Sequence, residues 1–255
     1  MLENKFAIRC PVCREAENIV PFEQRLDVDN RLIDLVLCKS CFAVINATDL
    51  HHAMHGDDNE PKQALSSDQF YAIDQQFLIR FNEIVKSNRM IQFLIEHVPD
   101  IARGTVLDFG AGQGINSASA AVYFKKVFAV DLSLTVLSVV HEWMENRYKI
   151  HITSDLQSIQ EPLDLVLSMH VLEHLPNMRD FLDGWVDNLN PGGAIFFQVP
   201  MLKRDHIVSV HYTFFNEACV RTLAEQVGLD VVGVWFDPAN DFLTSILRKP
   251  LALAA

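Results

Sequence analysis

Nowhere in the 255-residue chain does an uninterrupted apolar run approach the ~20 residues that a membrane-crossing helix needs. Basic residues are also scarce. Lys and Arg number 21 against 33 Asp and Glu, a formal net charge of -12. An acidic surface repels phosphate backbones, so nucleic acid is a disfavoured partner, and a membrane surface would call for a basic amphipathic face instead. The segment Met1–Cys10 is charged throughout and has no apolar core of the signal-peptide kind, so a cytoplasmic location is expected. Five cysteines in that compartment stay reduced, which sets aside a disulfide framework and favours metal binding where cysteines come in pairs. No internal repeat is visible.

What remains suits a globular enzyme. Hydrophobic residues make up 49% of the chain and charged ones 21%. Residues 1–50 hold four of the five cysteines, and 51–65 read as a polar linker. A helical stretch is expected over 66–103, capped by Ser66 or Ser67, with Phe70, Ile73, Phe77, Phe81 and Ile84 at helical spacing. Its aromatic residues either form core or line a lid.

From 104 to 250, strand-like runs alternate with helical ones. The strands are expected at 105–109, 127–130, 150–152, 163–169, 194–199, 231–236 and 242–247. Helices are expected at 116–124, 133–146, 178–189 and 217–227, with a short piece near Leu156. Strands separated by helices imply a parallel sheet covered on both faces. Residues 237–241 are too few to hold a crossover helix, so the last two strands should form an antiparallel hairpin.

The paired cysteines have the spacing of a metal site. Cys10, Cys13, Cys38 and Cys41 form C-x2-C-x24-C-x2-C, two knuckles able to complete a tetrahedral zinc site. Four thiolates leave no open position, so such a zinc is structural, and a small zinc ribbon is expected at the N-terminus. Cys219 stands alone on an expected helix and reads as core. His51, His52 and His55 read as part of the solvated linker.

The chemistry is expected at the glycine loop. A strand runs through Asp108 into Gly110-Ala111-Gly112-Gln113-Gly114, and a helix follows. Glycines allow the tight turn and a close approach of ligand to backbone. A dinucleotide site would want G-x-G-x-x-G, but the third glycine falls one place early and Ile115 stands where it would be. Asp131 ends the next strand, 23 residues after Asp108, where an acid can accept ribose hydroxyls. Asp155 follows the third strand, placed to accept from an adenine amino group.

Taken in order with Ser168-Met169-His170-Val171-Leu172-Glu173-His174 and Leu189-Asn190-Pro191-Gly192-Gly193, these motifs resemble the class I S-adenosylmethionine-dependent methyltransferases over roughly residues 90–248. The resemblance implies a Rossmann-like α/β fold with a seven-stranded sheet, order 3-2-1-4-5-7-6, strand 7 antiparallel. It implies that S-adenosylmethionine is held by Asp108, Gly110, Ala111, Gly112 and Gly114 at its methionine end. Asp131 and Leu132 would hold the ribose, Asp155 and Leu156 would flank the adenine, and Met169 and His170 would lie near the reactive methyl.

Val208–Asn216 resembles the Glu-His-Tyr-Ser-Tyr-Phe stretch of bacterial deoxysugar C-methyltransferases, which also begin with a four-cysteine zinc module and use a His–Glu pair in base catalysis. His211 matches the histidine, and Val210 stands at the glutamate position. His211 is therefore one candidate base. Glu173 and His174, in the Val-Leu-Glu-His motif of many small-molecule methyltransferases, are the other, and His206 is a third with less behind it.

The expected function is methyl transfer to a small-molecule acceptor such as a sugar, sugar nucleotide or specialised metabolite. A zinc-bearing RNA methyltransferase is the alternative enzyme reading, and a non-catalytic cofactor-binding adaptor is the third. Residues 1–50 carry six basic and eight acidic side chains, whereas an RNA-reading ribbon should be basic. The accepting atom and the oligomeric state stay open.

Overall fold

A computed structural model describes residues 8–55, 77–132 and 147–251. The strands and principal helices are β1 (Ile19–Leu26), β2 (Leu32–Cys38), β3 (Val44–Asn46), α1 (Ala47–His55), α2 (Phe77–His97), β4 (Thr105–Phe109), α3 (Ile115–Tyr123), β5 (Lys126–Val130), β6 (Ile150–Thr153), β7 (Leu163–Met169), α4 (Met178–Asn188), β8 (Leu189–Pro200), β9 (Thr213–Phe214), α5 (Glu217–Val227), β10 (Asp230–Asp237) and β11 (Phe242–Arg248). The large sheet runs β10-β11-β8-β7-β4-β5-β6. Counting its strands in chain order, this is 3-2-1-4-5-7-6. The β10–β11 pair is antiparallel, as the short connection of residues 238–241 requires. No helix among the described residues is long and apolar enough to cross a membrane.

By internal contacts the chain divides into two units: 57–168 with 188–195, and 1–56 with 169–187 and 196–255. In the first, β4 pairs in parallel with both β5 and β7, and β5 with β6. These strands are continuous apolar runs because both faces of the sheet are covered. Leu165, Val166 and Leu167 are fully buried, each contributing about 1.5–3 kcal/mol by leaving water. Asp164 interrupts this run for a structural reason. Its Oδ2 accepts the Thr105 N–H at 2.8 Å and its Oδ1 accepts the Asn190 amide at 2.8 Å, tying the starts of β4 and β8 to β7. Gly104 makes room for this carboxylate, since a Cβ there would sit 2.1 Å from Asp164 Oδ2.

Helix α2 buries Ser87, Ile91 and Leu94, and Val98 just past its end continues the 4-3-4 stripe. Ser87 Oγ donates to Asn116 Oδ1 at 2.8 Å, linking α2 to α3. The stripe expected further upstream is corrected here: Ile84 is exposed, and Phe70 and Ile73 lie outside the described residues. The expected helix at 133–146 also lies outside them.

In the other unit, β1, β2, β3 and β9 form a second, antiparallel sheet. Its fourth strand comes from residues 213–214. Val44 and Ile45 pair with Phe214 and Thr213, and Ile33, Leu35, Val44, Ile207 and Phe214 share one core. The expected linker also needs correction at its start, because residues 51–55 are helical. Asn46 opens α1 by accepting the Asp49 N–H on Oδ1 at 3.1 Å and donating its amide to Asp49 Oδ2 at 2.7 Å. Leu50 is fully buried beneath the helix. His51, His52 and His55 therefore stand on a helix, with the His51 and His55 rings 5.0 Å apart.

Removing the Asp164 carboxylate should leave the part-buried Thr105 N–H and Asn190 amide without partners. Asp164→Ala is expected to cost about 1–3 kcal/mol in urea unfolding, whereas a change below a few tenths would show that the tie is dispensable.

Candidate cofactor loop and acceptor-side cluster

The C-terminal ends of β4, β5, β6 and β7 share one edge of the sheet, because the four strands are parallel and paired in register. The glycine loop leaves that edge after Phe109. It is held there by its neighbour strand: the Val130 carbonyl accepts the N–H groups of Gly110 at 2.8 Å and Ala111 at 2.9 Å, and Asp131 Oδ2 accepts that of Gly112 at 2.8 Å. Gly110, Gly112 and Gly114 have φ of 74°, 54° and 74°, left-handed values that side chains disfavour. Gly114 in this conformation is the N-cap of α3.

Asp108 lies under the loop, 1% exposed, and accepts the Ser117 hydroxyl at 2.5 Å. Burial pushes its carboxyl up to about 6. The Ser117 bond opposes the rise, and the nearby Asp131 adds to it. A buried carboxylate this uncomfortable calls for a cation nearby. S-adenosylmethionine brings a sulfonium and an ammonium, so the buried carboxylate and the glycine-rich cradle fit its amino-acid end.

Further along the edge, Leu132 is 94% exposed beside Asp131, an apolar surface of the kind an adenosine covers. Asp155 is exposed and caps the short turn 156–158, its Oδ1 accepting the Gln157 N–H at 2.9 Å. Leu156 is half-buried on that turn. An open hollow of about 680 Å³ occurs at the opposite edge, lined by Arg103, Lys125, Lys126 and Lys149 among others. It contains none of the motif residues, and two of its lysines are engaged, Lys126 with Glu161 and Lys149 with the Ala121 carbonyl.

In the other unit, Met169 ends β7 and His170 follows with a left-handed φ of 58°. His170 is braced by β8: its N–H donates to the Gln198 carbonyl at 2.8 Å, and its Nε2 meets Gln198 Oε1 at 3.1 Å. Gln198 in turn donates to Thr244 Oγ1 at 2.7 Å. Gln198 escaped the sequence reading, although a lone polar residue inside Ile195-Phe196-Phe197-Gln198-Val199 is its visible mark.

The two candidate bases come together. One ligand atom from each of Glu173, His174 and His211 lies within 4.8 Å of the others, and the two imidazole rings are 4.6 Å apart at 67°. Burial, then the neighbouring His174, push His211 down to about 4, so it is neutral at pH 7. His206 supports the cluster through its backbone, whose carbonyl accepts His211 Nδ1–H at 2.7 Å. The His206 ring stacks on Phe242 at 5.5 Å.

The four N-terminal cysteines also converge. Cys10 Sγ lies 3.5 Å from Cys41 Sγ, and Cys13 Sγ lies 3.5 Å from Cys38 Sγ. Tetrahedral zinc with sulfur at about 2.3 Å would place the sulfurs about 3.8 Å apart, so the cluster has the size of such a site. Hydrogen bonding within the cluster pushes the Cys10 thiol up and the Cys38 thiol down, the competition of crowded sulfurs that a shared cation relieves. Cys219, 178 residues after Cys41, is buried near it. Its isolation in sequence hid that proximity.

Residues 81–234 match the family described as a methyltransferase domain, and the chain belongs to it. It is an S-adenosylmethionine-dependent methyltransferase with the family's Rossmann-like sheet. The ubiquinone biosynthesis O-methyltransferase of Hydrogenovibrio crunogenus is 30% identical over 184 residues, which cover 62% of this chain and 76% of that one. The C-methyltransferase NovU of Streptomyces niveus is 22% identical over 213 residues, 79% of this chain and 47% of NovU. The chain thus spans under half of NovU's length. Among solved structures, the N-methyltransferase NodS from Bradyrhizobium japonicum, in complex with S-adenosyl-L-homocysteine, has the same fold: TM-score 0.58 and 20% identity over 72% of this chain and 97% of that one.

The strained Asp108 gives a pH test. Its folded pKa lies above the unfolded value, so its contribution to stability is fully present below about pH 4 and is lost as pH rises through about 6. The loss should amount to roughly 2–3 kcal/mol in the cofactor-free protein. In Asp108→Asn this decline should vanish. Superimposable stability–pH curves for the two proteins would contradict the assignment.

Proposed function

We propose that the protein methylates a small-molecule acceptor bearing a hydroxyl or an acidic carbon, such as a sugar, a sugar nucleotide or a specialised metabolite. The observation that carries this reading is the glycine loop tied to Val130 and Asp131 above a buried Asp108. S-adenosylmethionine supplies the methyl group as an electrophilic sulfonium. Asp108 and the closely approachable backbone of Gly110–Gly114 take the methionine end, Asp131 the ribose, and Leu132, Asp155 and Leu156 the adenine. Met169 and His170 stand at the end of β7. On the acceptor side, Glu173, His174 and His211 take up or direct the proton that a hydroxyl or carbon acid must lose. Names among the relatives support a small acceptor: ubiquinone biosynthesis O-methyltransferases and the C-methyltransferase NovU. The net charge of -12 disfavours RNA. The cysteine cluster holds one structural zinc, which cross-links two knuckles distant in sequence and leaves no position open for chemistry.

Asp131→Ala should weaken S-adenosylmethionine binding by about 10–100-fold in calorimetry, the loss of charge-assisted hydrogen bonds. Equal affinities would remove Asp131 from the cofactor site. Label from the cofactor's methyl group should pass to members of a panel of nucleotide sugars and phenols. Incorporation into RNA instead would overturn the small-molecule reading. Elemental analysis should find one zinc per chain, lost together with stability in Cys10→Ser/Cys13→Ser. A metal-free protein whose stability that double substitution leaves unchanged would refute the structural zinc.

A further inference from the structure

Glu173 is 1% exposed, and neither carboxylate oxygen has a hydrogen-bond partner. An ionised carboxylate left this way is strongly unfavourable unless a positive charge compensates it. Among the described residues no Lys or Arg forms an ion pair with it; its near neighbours are imidazoles. His170 Nδ1 and His174 Nε2 each lie 3.8 Å from Glu173 Oε1, too far for a hydrogen bond.

The second nitrogen of each ring shows which atom carries the proton. His174 Nδ1 faces the Val210 carbonyl at 3.0 Å and His211 Nδ1 faces the His206 carbonyl at 2.7 Å, so both Nδ1 atoms are donors. A neutral imidazole that donates from Nδ1 offers a lone pair at Nε2. His170 is the mirror case. Gln198 donates its amide to Thr244, so its Oε1 accepts from His170 Nε2–H, and the lone pair lies at Nδ1, on the Glu173 side. The buried carboxylate thus sits among acceptors, with no donor between them.

A proton on one ring would satisfy one contact at most. A metal ion serves several acceptors at once, with ligand atoms at about 2.0–2.2 Å. The ligand atoms of Glu173, His174 and His211 lie within 4.8 Å of one another, near enough to be gathered on one ion. The ring-to-carbonyl bonds are the supports that metal-ligating histidines characteristically have on their far nitrogen. The backbone holds the cluster from both sides: the Tyr212 N–H donates to the Glu173 carbonyl at 2.7 Å, and that of His211 to the Val208 carbonyl at 3.1 Å.

We infer that Glu173, His174 and His211 form a second metal site, which takes a divalent transition-metal cation of borderline softness. Two imidazoles and a carboxylate suit Zn²⁺, Fe²⁺, Co²⁺ or Ni²⁺, whereas the four-thiolate cluster selects soft binding. Three protein ligands leave a coordination position open, the feature that separates a chemically active site from the closed cysteine cluster. With the cation bound, the three side chains act through it and not as bases themselves. The open position suits an oxygen ligand, water or an acceptor hydroxyl whose acidity the cation would raise. Only this last point rests on the function proposed above.

The test uses the full chain with its cysteine-bound zinc retained, dialysed against metal-free buffer and titrated with Co²⁺. One Co²⁺ per chain is expected, with visible d–d bands and no thiolate charge-transfer band. Glu173→Gln, nearly isosteric, and His211→Ala should each weaken Co²⁺ binding about 100-fold or more while zinc content and circular dichroism stay as in the wild type. Co²⁺ binding that neither substitution affects, or no binding beyond the cysteine cluster, would overturn the site. If Glu173→Gln fails to fold, His211→Ala decides alone, and retention of wild-type Co²⁺ affinity in it overturns the inference. S-adenosylmethionine affinity, measured in parallel, separates the two readings. Its absence from the wild-type protein with Co²⁺ binding intact would overturn the cofactor-site assignment proposed above and leave the metal site standing.

Discussion

Three consecutive amide N–H groups, those of Gly110, Ala111 and Gly112, end on two residues at the tip of β5. Much else at the cofactor edge follows from this. The loop can lie so close to a neighbouring strand only because its glycines accept left-handed φ values. It can turn into α3 only because Gly114 does the same at the helix N-cap. The strand end must stay in register with β4, which the parallel pairing from Thr105–Lys126 to Phe109–Val130 provides. That pairing in turn needs the apolar cover that fills both faces of the sheet. A backbone cradle of this kind is preorganised: the cost of its unusual dihedrals is met by the fold and not by the ligand.

Three buried acids show how one residue type acquires different roles. Asp164 satisfies both oxygens with a backbone N–H and an amide, and it works as a structural tie. Asp108 has Ser117 and a pKa pushed up to about 6, so it waits for positive charge. The Glu173 carboxylate has no hydrogen-bond partner among the described residues. The degree of satisfaction, more than burial, sorts structure from function among them.

The sequence was most legible where the signal is local and dense. The strands 105–109 and 163–169 and helix 217–227 fall where their apolar patterns place them, because each is bounded by glycine, proline or a capping residue such as Asn216. Strand β8 begins five residues ahead of its expectation, since Asn190-Pro191-Gly192-Gly193 reads as a turn when its strand partners are unknown. Helix α1 was hidden by its polar histidines, and it depends on the Asn46–Asp49 reciprocal bonds and on Leu50. Strand β9 is two residues long and pairs with a strand some 170 positions earlier, which no local pattern can announce. The candidate site followed the same division. The aspartates and glycines stood in order along the chain, and the four cysteines carried their own spacing. The burial of Glu173, the bracing by Gln198 and the approach of Cys219 to Cys41 are products of tertiary packing alone.

The central claim is that the loop tied to Val130 and Asp131 holds S-adenosylmethionine. Amide hydrogen exchange with and without S-adenosylhomocysteine tests it most directly. Added ligand should slow exchange in the peptides covering Gly110–Gly114, Asp131–Leu132 and Asp155–Gln157, while the N-terminal strands β1 and β2 stay unchanged. Protection that leaves the glycine loop untouched at saturating ligand, or appears only elsewhere in the chain, would contradict the account.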